Sequence, residues 1–515
     1  MSPKNLLLTF GLMLSGLSLS AHADVRLPSI FADHMVLQRD MPILVWGWAE
    51  PGETVRVVIE QQEHVAQTDA QGRWEVQLKP LAAGGPVTMT ITGSNQITLS
   101  DVLVGEVWFC SGQSNMAMTV NRAMNYEQEQ QQANVPTIRM FKVGGQYANE
   151  PQTEADGNWI ICSPETVGGF TATGYFFAKH IQPQLKVPVA LINASVGGTP
   201  IDSWIPSAAQ RGSASLAPLF EELDRGRKEF DKEAALARYE EQLAKWKERA
   251  KAARAAGETP PRAPRNPVEQ YERKQNVGGL YHGKVAPFIR YGFRGALWYQ
   301  GEANSTPERA GWYQHQLPLL VDSWRKDHGA GDFPFAWVQL PNFGGAGRNW
   351  PVVREGMLDT LYLPHTGMAI TIDVGETRDI HPKNKQAVGS RLGTWALASV
   401  YGGDGPAMGP IPQEAEAEGK ELVVPFTQCG DGLQLADWKP DLTIAAIAGE
   451  DQQWQPVDRI EIDGDIVRFS STKVRSPVAL RYLWTNDPQQ VPLRNSAGIP
   501  ASPFRTDAWE GMEPF

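Results

Sequence analysis

The chain has 515 residues, of which 42% are hydrophobic and 20% are charged, and its formal net charge is −11. This length and composition are typical of a globular protein with several domains and large apolar cores. The excess of acidic residues argues against nucleic acid or an anionic membrane surface as a partner, because both bind basic surfaces.

The first 23 residues have the pattern of a secretory signal peptide. Lys4 supplies a positive start, an apolar run extends from Leu6 to Leu19, and Ala21-His22-Ala23 forms a small-x-small cleavage site. The apolar run is short for a membrane span. We therefore expect cleavage before Asp24, no membrane anchor, and a mature protein that is secreted or periplasmic.

Residues 24–100 alternate between apolar and polar side chains, which predicts an N-terminal β-sandwich segment. The strand-like runs are Ile43–Trp48, Thr54–Ile59, Trp74–Leu78 and Val87–Thr92. Turns rich in Gly, Pro and Asp separate them.

Residues 101–401 change to apolar runs that alternate with helical patterns, which predicts an α/β domain. The five strand-like runs are Val102–Phe109, Val187–Ile192, Gly295–Tyr299, Phe333–Leu340 and Met368–Asp373. Runs that are apolar throughout predict a five-stranded parallel sheet with helices on both faces. Ligands of such sheets bind outside the carboxyl ends of the strands.

A charged, Ala-rich insertion covers about residues 221–267 of this domain. Its composition favours a solvated helical insertion that ends in a Pro-rich linker, and a lid over the site is the alternative. Residues 402–515 return to a β pattern and predict a C-terminal β-rich domain. This domain is either a second sandwich or the other half of one that the N-terminal segment begins. Its strand-like runs are Leu422–Phe426, Leu442–Ala448, Ile460–Phe469 and Val478–Trp484.

The cysteines Cys110, Cys162 and Cys429 are too few for a disulfide scaffold. One bridge is compatible with export, and we expect Cys110 to pair with Cys162 because both should lie near the central sheet. The sequence has no Cys/His cluster with metal-ligand spacing, no phosphate-binding glycine loop and no dinucleotide-binding motif. We therefore predict no metal and no cofactor.

Ser114 is the candidate nucleophile. It follows the first buried strand within Gly112-Gln-Ser-Asn-Met116, where a turn leads into a helix start. Such a turn exposes a side chain beside free backbone N–H groups. Helix capping by Ser114 or Asn115 is the alternative. His381, beyond the fifth strand, is the candidate base because imidazole titrates near neutral pH.

Three donors are predicted to hold the negative charge that develops on a carbonyl oxygen during acyl transfer. They are the backbone N–H of Ser114, a backbone N–H from Gly197-Gly198, and the side-chain amide of Asn304. Glycine suits this role because its backbone can approach a substrate without an intervening Cβ. A tight turn at the glycines and a helix cap at Asn304 are the alternatives.

These motifs resemble the sequence blocks of the SGNH hydrolases, and specifically the sialate O-acetylesterase-like carbohydrate esterases. The resemblance covers essentially the whole mature chain. It implies a flavodoxin-like, three-layer α/β/α domain with accessory β elements, and metal-free removal of acetyl groups from sugar hydroxyls. The motifs are Gly112–Met116, Gly197–Thr199, Trp298–Glu302, Gly301–Asn304 and Asp379–Pro382.

The acid of the predicted triad departs from the family pattern. Many SGNH hydrolases carry an acid three residues before the histidine, where this chain has Arg378. Asp379, two residues before, is the candidate third member, and capping of the following helix is its alternative role. His381 is otherwise oriented by a backbone carbonyl, Asp373 or Glu376, which leaves a Ser–His dyad.

Aromatic and amide side chains near these motifs are candidates for sugar contacts, because aromatic faces stack on pyranose rings and amides bond hydroxyls. These substrate-binding candidates are Gln113, Trp204, Trp298, Gln300 and Glu302. For Trp298 a buried strand position is an equal alternative, and Glu302 is favoured as a hydrogen-bond organiser.

The combined interpretation is an exported serine esterase that acts on an acetylated sugar or glycan. The enzymatic alternative is a glycosidase that uses Glu302 and Asp379 as its two carboxylates. A carbohydrate-binding protein with a vestigial site is the non-enzymatic alternative. The sequence leaves open whether the substrate is acetylated sialic acid or a plant polysaccharide such as acetylated xylan or xyloglucan, and it leaves open the oligomeric state.

Overall fold

A computed structural model describes residues 24–275, 277–345, 349–509 and 515. The predicted signal peptide, residues 1–23, lies outside the described residues. The strands are β1 Val36–Gln38, β2 Ile43–Trp48, β3 Thr54–Ile59, β4 Gln62–Gln67, β5 Arg73–Leu78, β6 Gly84–Thr92, β7 Gln96–Gly112, β8 Ile138–Val143, β9 Gly157–Ile161, β10 Val189–Ser195, β11 Gly295–Tyr299, β12 Phe335–Val338, β13 Thr366–Ala369, β14 Ile411–Pro412, β15 Glu416–Glu418, β16 Glu421–Thr427, β17 Leu433–Leu435, β18 Ala445–Ala448, β19 Gln455–Pro456, β20 Arg459–Asp463, β21 Ile466–Ser470, β22 Ala479–Tyr482, β23 Leu493–Asn495 and β24 Phe504–Arg505. The α-helices are α1 Ser114–Ala117, α2 Tyr126–Gln132, α3 Ala172–Leu185, α4 Ser207–Arg211, α5 Ala217–Glu229, α6 Lys232–Ala255, α7 Pro267–Gln275, α8 Tyr313–His328, α9 Trp350–Asp359 and α10 Lys385–Ser399.

Strand β7 is the longest of these strands and connects two parts of the fold. Its first half alternates between exposed and buried residues and pairs antiparallel with β6. From Val102 onward every residue is buried, and this half pairs parallel with β10 and β11. The predicted boundary between residues 100 and 101 therefore falls inside one continuous strand.

The central part of the large mixed sheet has the order β13-β12-β11-β7-β10-β8-β9. All five predicted strands belong to it and run parallel to their neighbours. The sheet is larger than predicted, because β8 adds a parallel strand and β9 an antiparallel one. Arg139 and Lys142 interrupt the apolar pattern of β8. The Arg139 side chain is nevertheless buried, because its guanidinium pairs with Asp101 at 2.9 Å.

Helices cover both faces of this sheet. On one face, Trp108 and Leu191 pack in a buried cluster with Phe177 of α3 and Trp395 of α10. On the other face, the buried cluster includes residues of β7 and β11 together with Leu317 and Leu320 of α8 and Met357 of α9. Because the central strands run parallel, their carboxyl ends meet at one edge of this packed core.

The C-terminal region forms small antiparallel sheets, of which the main ones have the orders β14-β16-β21-β20 and β19-β18-β22-β24. The single run predicted over Ile460–Phe469 is a hairpin of β20 and β21. This region docks on the loops after the central strands. The buried guanidinium of Arg354 in α9 donates to the carbonyl oxygens of Thr485 at 2.6 Å and Asn486 at 2.9 Å.

The cysteines are buried and free, so the predicted bridge between Cys110 and Cys162 is wrong. Cys110 lies inside the sheet on β7, and the Cys162 thiol instead donates to the Ala133 carbonyl oxygen at 3.3 Å. Burial raises the pKa of the Cys162 thiol to about 12. Within the described ranges, no helix is long and apolar enough to cross a membrane.

Candidate active site

Ser114 lies at the turn that ends β7. Gly112 adopts φ 135°, and a Cβ at this position would lie 2.1 Å from the carbonyl oxygen of Tyr299 in the adjacent strand. Only glycine fits this close approach. The chain then passes Gln113, and the short helix α1 begins at Ser114, which is half-buried.

A cleft of about 1030 Å³ opens at this edge of the sheet. Six of the predicted site residues line it, and they come from four separate chain segments. They are Gln113, Ser114, Gly197, Gly198, Glu302 and His381. The fold therefore brings the candidate nucleophile, the candidate base and the glycine pair to one cavity.

The imidazole of His381 is half-buried in this cleft, and its Nδ1 lies 3.7 Å from Oδ1 of Asp379. That separation is longer than a hydrogen bond. The same Asp379 oxygen accepts the backbone N–H of His381 at 2.9 Å. Burial lowers the pKa of His381, and the nearby Asp379 carboxylate partly offsets this effect. At neutral pH the imidazole is therefore mostly neutral, as a general base requires.

The alternative partners of His381 are held elsewhere. Asp373 forms ion pairs with Arg391 at 2.6 Å and with Arg494 at 2.9 Å. Glu376 accepts the backbone N–H of Lys383 at 2.9 Å. Over the part of the chain that the structure describes, the His381 ring has no hydrogen bond, and Asp379 is the carboxylate that pairs with it.

Asn115 connects the serine turn to the histidine loop. Its buried amide donates to Glu302 at 2.5 Å and to the Ile380 carbonyl oxygen at 3.0 Å, and it accepts from Lys385 at 2.6 Å. Burial raises the pKa of Glu302 and lowers the pKa of Lys385 to about 7. This arrangement agrees with Glu302 as a hydrogen-bond organiser. The sequence-based prediction missed Asn115 and Lys385, although both lie inside or beside motifs that it singled out.

The glycine loop that follows β10 lines the cleft. A Cβ at Gly197 would lie 3.5 Å from Cβ of Ser114, so the loop passes close to the serine. Gly198 has φ 72°, a conformation that favours glycine. The backbone N–H groups of Ser114, Gly197 and Gly198 donate to none of the described residues. They are therefore available to an oxygen atom in the cleft.

Asn304 does not supply the predicted third donor. Its side chain is 1% exposed and is absent from the cleft lining. Its Oδ1 accepts the Ile201 backbone N–H at 2.9 Å and Gln300 at 2.7 Å, while its Nδ2 donates to Gln316 at 3.3 Å. These bonds make Asn304 an organiser of the buried layer behind the cleft.

Gln113, predicted as a sugar contact, lines the cleft, whereas Asn304 does not. Oε1 of Gln113 accepts Nε2 of Gln300 and the backbone N–H of Ala303, both at 3.2 Å. These two bonds fix the orientation of the amide. Its Nε2 donates to none of the residues that the structure describes, and the side chain lines the cleft.

Three predicted sugar contacts are buried and do not line the cleft. Trp204 and Trp298 are fully buried, contact each other edge to face, and donate to Thr199 at 3.0 Å and Tyr313 at 3.2 Å respectively. Gln300 is also fully buried, and its Nε2 donates to Gln113 and Asn304. The prediction of sugar contacts by these residues was wrong, because other side chains already cover their polar atoms and faces.

The charged insertion contributes to the cleft. Helix α6 is mostly exposed, as a solvated insertion predicts, with Ala250 its one fully buried residue among those described. However, Tyr239 of this helix and residues 264–266 of the following segment line the cleft. The insertion is thus a solvated element of which one part forms a wall of the site.

Comparison with known proteins relates the chain to carbohydrate esterases. The profile of the family "Carbohydrate esterase, sialic acid-specific acetylesterase" matches residues 104–250 and 274–398. Sialate O-acetylesterases from rat and human are each 27% identical to this chain. The rat alignment covers 98% of both chains, and the human alignment covers 94% of this chain and 93% of the human protein.

A solved structure resembles the whole fold. The crystal structure of a carbohydrate acetylesterase from Xanthomonas citri superposes with a TM-score of 0.79 at 33% identity, and it covers 94% of this chain and 100% of the other. These relationships do not support the glycosidase and binding-protein alternatives. The chain therefore belongs to the sialic acid-specific acetylesterase family of carbohydrate esterases and is a sialate O-acetylesterase-like carboxylic ester hydrolase.

Proposed function

We propose that the enzyme removes acetyl groups from sugar hydroxyls through an acyl-enzyme formed on Ser114. The observation that carries the proposal is one cleft that contains Ser114, His381 and the backbone N–H groups of Gly197 and Gly198. Nδ1 of His381 faces Asp379. Its Nε2 is then the nitrogen that serves the serine.

In the first half-reaction, His381 takes the proton of the Ser114 hydroxyl while Oγ attacks the acetyl carbonyl carbon. The carbonyl oxygen gains the negative charge and the backbone N–H groups of Ser114, Gly197 and Gly198 stabilise it. The bond from carbon to the sugar oxygen then breaks, and His381 gives its proton to that oxygen. In the second half-reaction, water attacks the acetyl-serine with His381 as base, which releases acetate and restores Ser114.

Gln113 is the proposed side-chain donor to the same oxyanion. Its Oε1 is fixed by two hydrogen bonds, and its Nε2 has none among the described residues. A donor that is already oriented costs no reorganisation when the charge develops. Gln113 thereby takes the role that the sequence-based prediction gave to Asn304.

Acetylated sialic acid is the substrate named by the curated relatives, and an acetylated plant polysaccharide is the second candidate. The site of action is proposed to be outside the cytoplasm, secreted or periplasmic, on the pattern of residues 1–23. The SGNH type of mechanism is supported by the placement of the serine, glycine and histidine motifs at one cleft.

The test measures acetate release by the purified mature enzyme and by Ser114→Ala. The substrates are acetylated sialic acid, acetylated xylan, acetylated xyloglucan and an aryl acetate. Release that disappears in the variant supports the serine mechanism. Ser114→Ala as active as the parent contradicts it, and hydrolysis of the aryl acetate alone contradicts action on sugars.

A further inference from the structure

The catalytic cleft continues into a groove that passes Tyr147. A neighbouring cavity of about 490 Å³ shares Tyr147, Val196 and Glu269 with the cleft. That cavity in turn shares Gly145, Gln146 and Tyr147 with a third one of about 550 Å³. Pockets of about 300–1,000 Å³ already hold a drug-sized ligand. The cleft and groove together are therefore larger than one sugar requires.

Tyr147 is the residue that lines all three cavities. Its ring is half-buried and packs against the main hydrophobic core. Because this ring is already held and lines the groove, contact with a sugar ring costs little side-chain entropy. It therefore marks the point where the catalytic cleft passes into the groove.

Lys284, which the proposed mechanism does not use, fixes the loop that carries Tyr147. Its buried ammonium donates to the carbonyl oxygens of Val143 at 3.2 Å and Gly145 at 3.3 Å, and also to that of Gly144. The backbone N–H of Ala148 donates to the Gly279 carbonyl oxygen at 3.0 Å on the other side of Tyr147. Lys284 is thus a positioning residue for the groove.

The charged side chains that line the cleft and groove include more carboxylates than cations. The carboxylates in the lining are Glu154, Asp156, Glu269, Glu272 and Glu302. The lysine and arginine cations in the lining are Arg265 and Lys284. A site for a polyanion carries a clear excess of positive charge. This groove has none, on a chain of net charge −11.

One wall of the groove comes from the segment between the two parts of the chain that the family profile matches. The family profile leaves out residues 251–273, and this stretch supplies Arg265, Asn266, Glu269 and Glu272 to the lining. These side chains are separate in sequence from the serine and histidine motifs, so they can contact a substrate without taking part in the proposed chemistry.

We propose that the groove binds a neutral acetylated oligosaccharide, with one sugar ring stacked on Tyr147 and the acetylated sugar at Ser114. This rests on the proposed function and selects, from its two candidate substrates, the neutral polysaccharide class over single sialic acid residues.

The test compares kcat/KM for acetate release along a series of acetylated neutral oligosaccharides, from the monosaccharide upward, in the parent, Tyr147→Ala and Tyr147→Phe. The readout is the ratio of kcat/KM for the longest oligosaccharide to that for the monosaccharide. We expect this ratio to exceed one clearly in the parent and to fall by about tenfold in Tyr147→Ala, the upper end of an aromatic contact. Tyr147→Phe, which keeps the ring, should retain it.

Tyr362→Ala is the matched control, because that tyrosine is 73% exposed and lies outside the groove lining. It should keep the parental ratio. If the ratio in the parent enzyme is near one, the groove does not bind the additional sugars and this proposal is refuted, while the proposed esterase function stands. Higher kcat/KM on acidic sialic acid oligomers than on neutral ones of equal length overturns the neutral class. Hydrolysis of an aryl acetate without any sugar ester refutes the proposed function itself.

Discussion

The assignment of the oxyanion donors can be tested by exchanging one atom of Gln113. In Gln113→Glu the Oε1 atom and its bonds from Gln300 and Ala303 can persist, while the Nε2 donor becomes a carboxylate oxygen. Loss of one oxyanion donor lowers kcat by about 10²–10³. A negative charge beside the developing oxyanion adds to this loss, so we expect a decrease of at least about 10².

Asn304→Ala should lower the stability of the fold more than it lowers kcat. It removes the acceptor of the buried Ile201 N–H, and it leaves Gln300 and Gln316 with one partner fewer. An unsatisfied buried polar group costs about 1–3 kcal/mol of the free energy of unfolding. We therefore expect a lower thermal midpoint and a decrease in kcat well below that of Gln113→Glu.

The assay measures kcat on an aryl acetate, which needs no sugar contacts, together with the thermal midpoint of each variant. The reasoning is refuted if Asn304→Ala loses about 10² in kcat at an unchanged midpoint while Gln113→Glu stays within a few-fold of the parent. In that case the Asn304 amide reaches the oxyanion after all.

Two further predictions concern the histidine loop. Because burial lowers the pKa of His381, kcat/KM should fall on acidification with a midpoint below pH 6.5. The Asp379 carboxylate raises that pKa, so Asp379→Asn should move the midpoint lower still. A midpoint at pH 6.5 or above, or one that Asp379→Asn moves upward, contradicts the assigned environment of His381. Asn115→Ala separates the buried lysine and glutamate that its amide joins and frees the Ile380 carbonyl, so both the thermal midpoint and kcat should fall. Exposed Asn121→Ala is the matched control, and equal behaviour of the two variants would refute the role of Asn115.

The sequence was informative where burial is continuous or where a motif follows a strand. The central strands were found because apolar residues occupy both of their faces, as in β7 and β11. Ser114 and His381 were predicted to share one site because each follows a strand end, and the structure places both in one cleft. Strand β8 was missed because Arg139 breaks its apolar run, and only the folded chain brings Asp101 to neutralise that charge.

The incorrect site residues share one physical cause. The sequence shows that a side chain can stack or donate, but not which remote side chain will occupy its face or its polar atom. Trp298 is covered by Trp324 of α8, and the Asn304 amide is turned by Gln316 of the same helix. Both partners come from an element whose packing direction the local sequence does not specify.

The continuous strand β7 ties the N-terminal β segment to the α/β domain. The antiparallel half and the parallel half of β7 are one hydrogen-bonded strand. A truncated chain that starts at residue 101 would therefore lose β6, the strand that pairs with β7 at Val102. The N-terminal β segment is then not a detachable module that recombination can exchange. It should unfold in the same cooperative step as the strand that carries the serine turn.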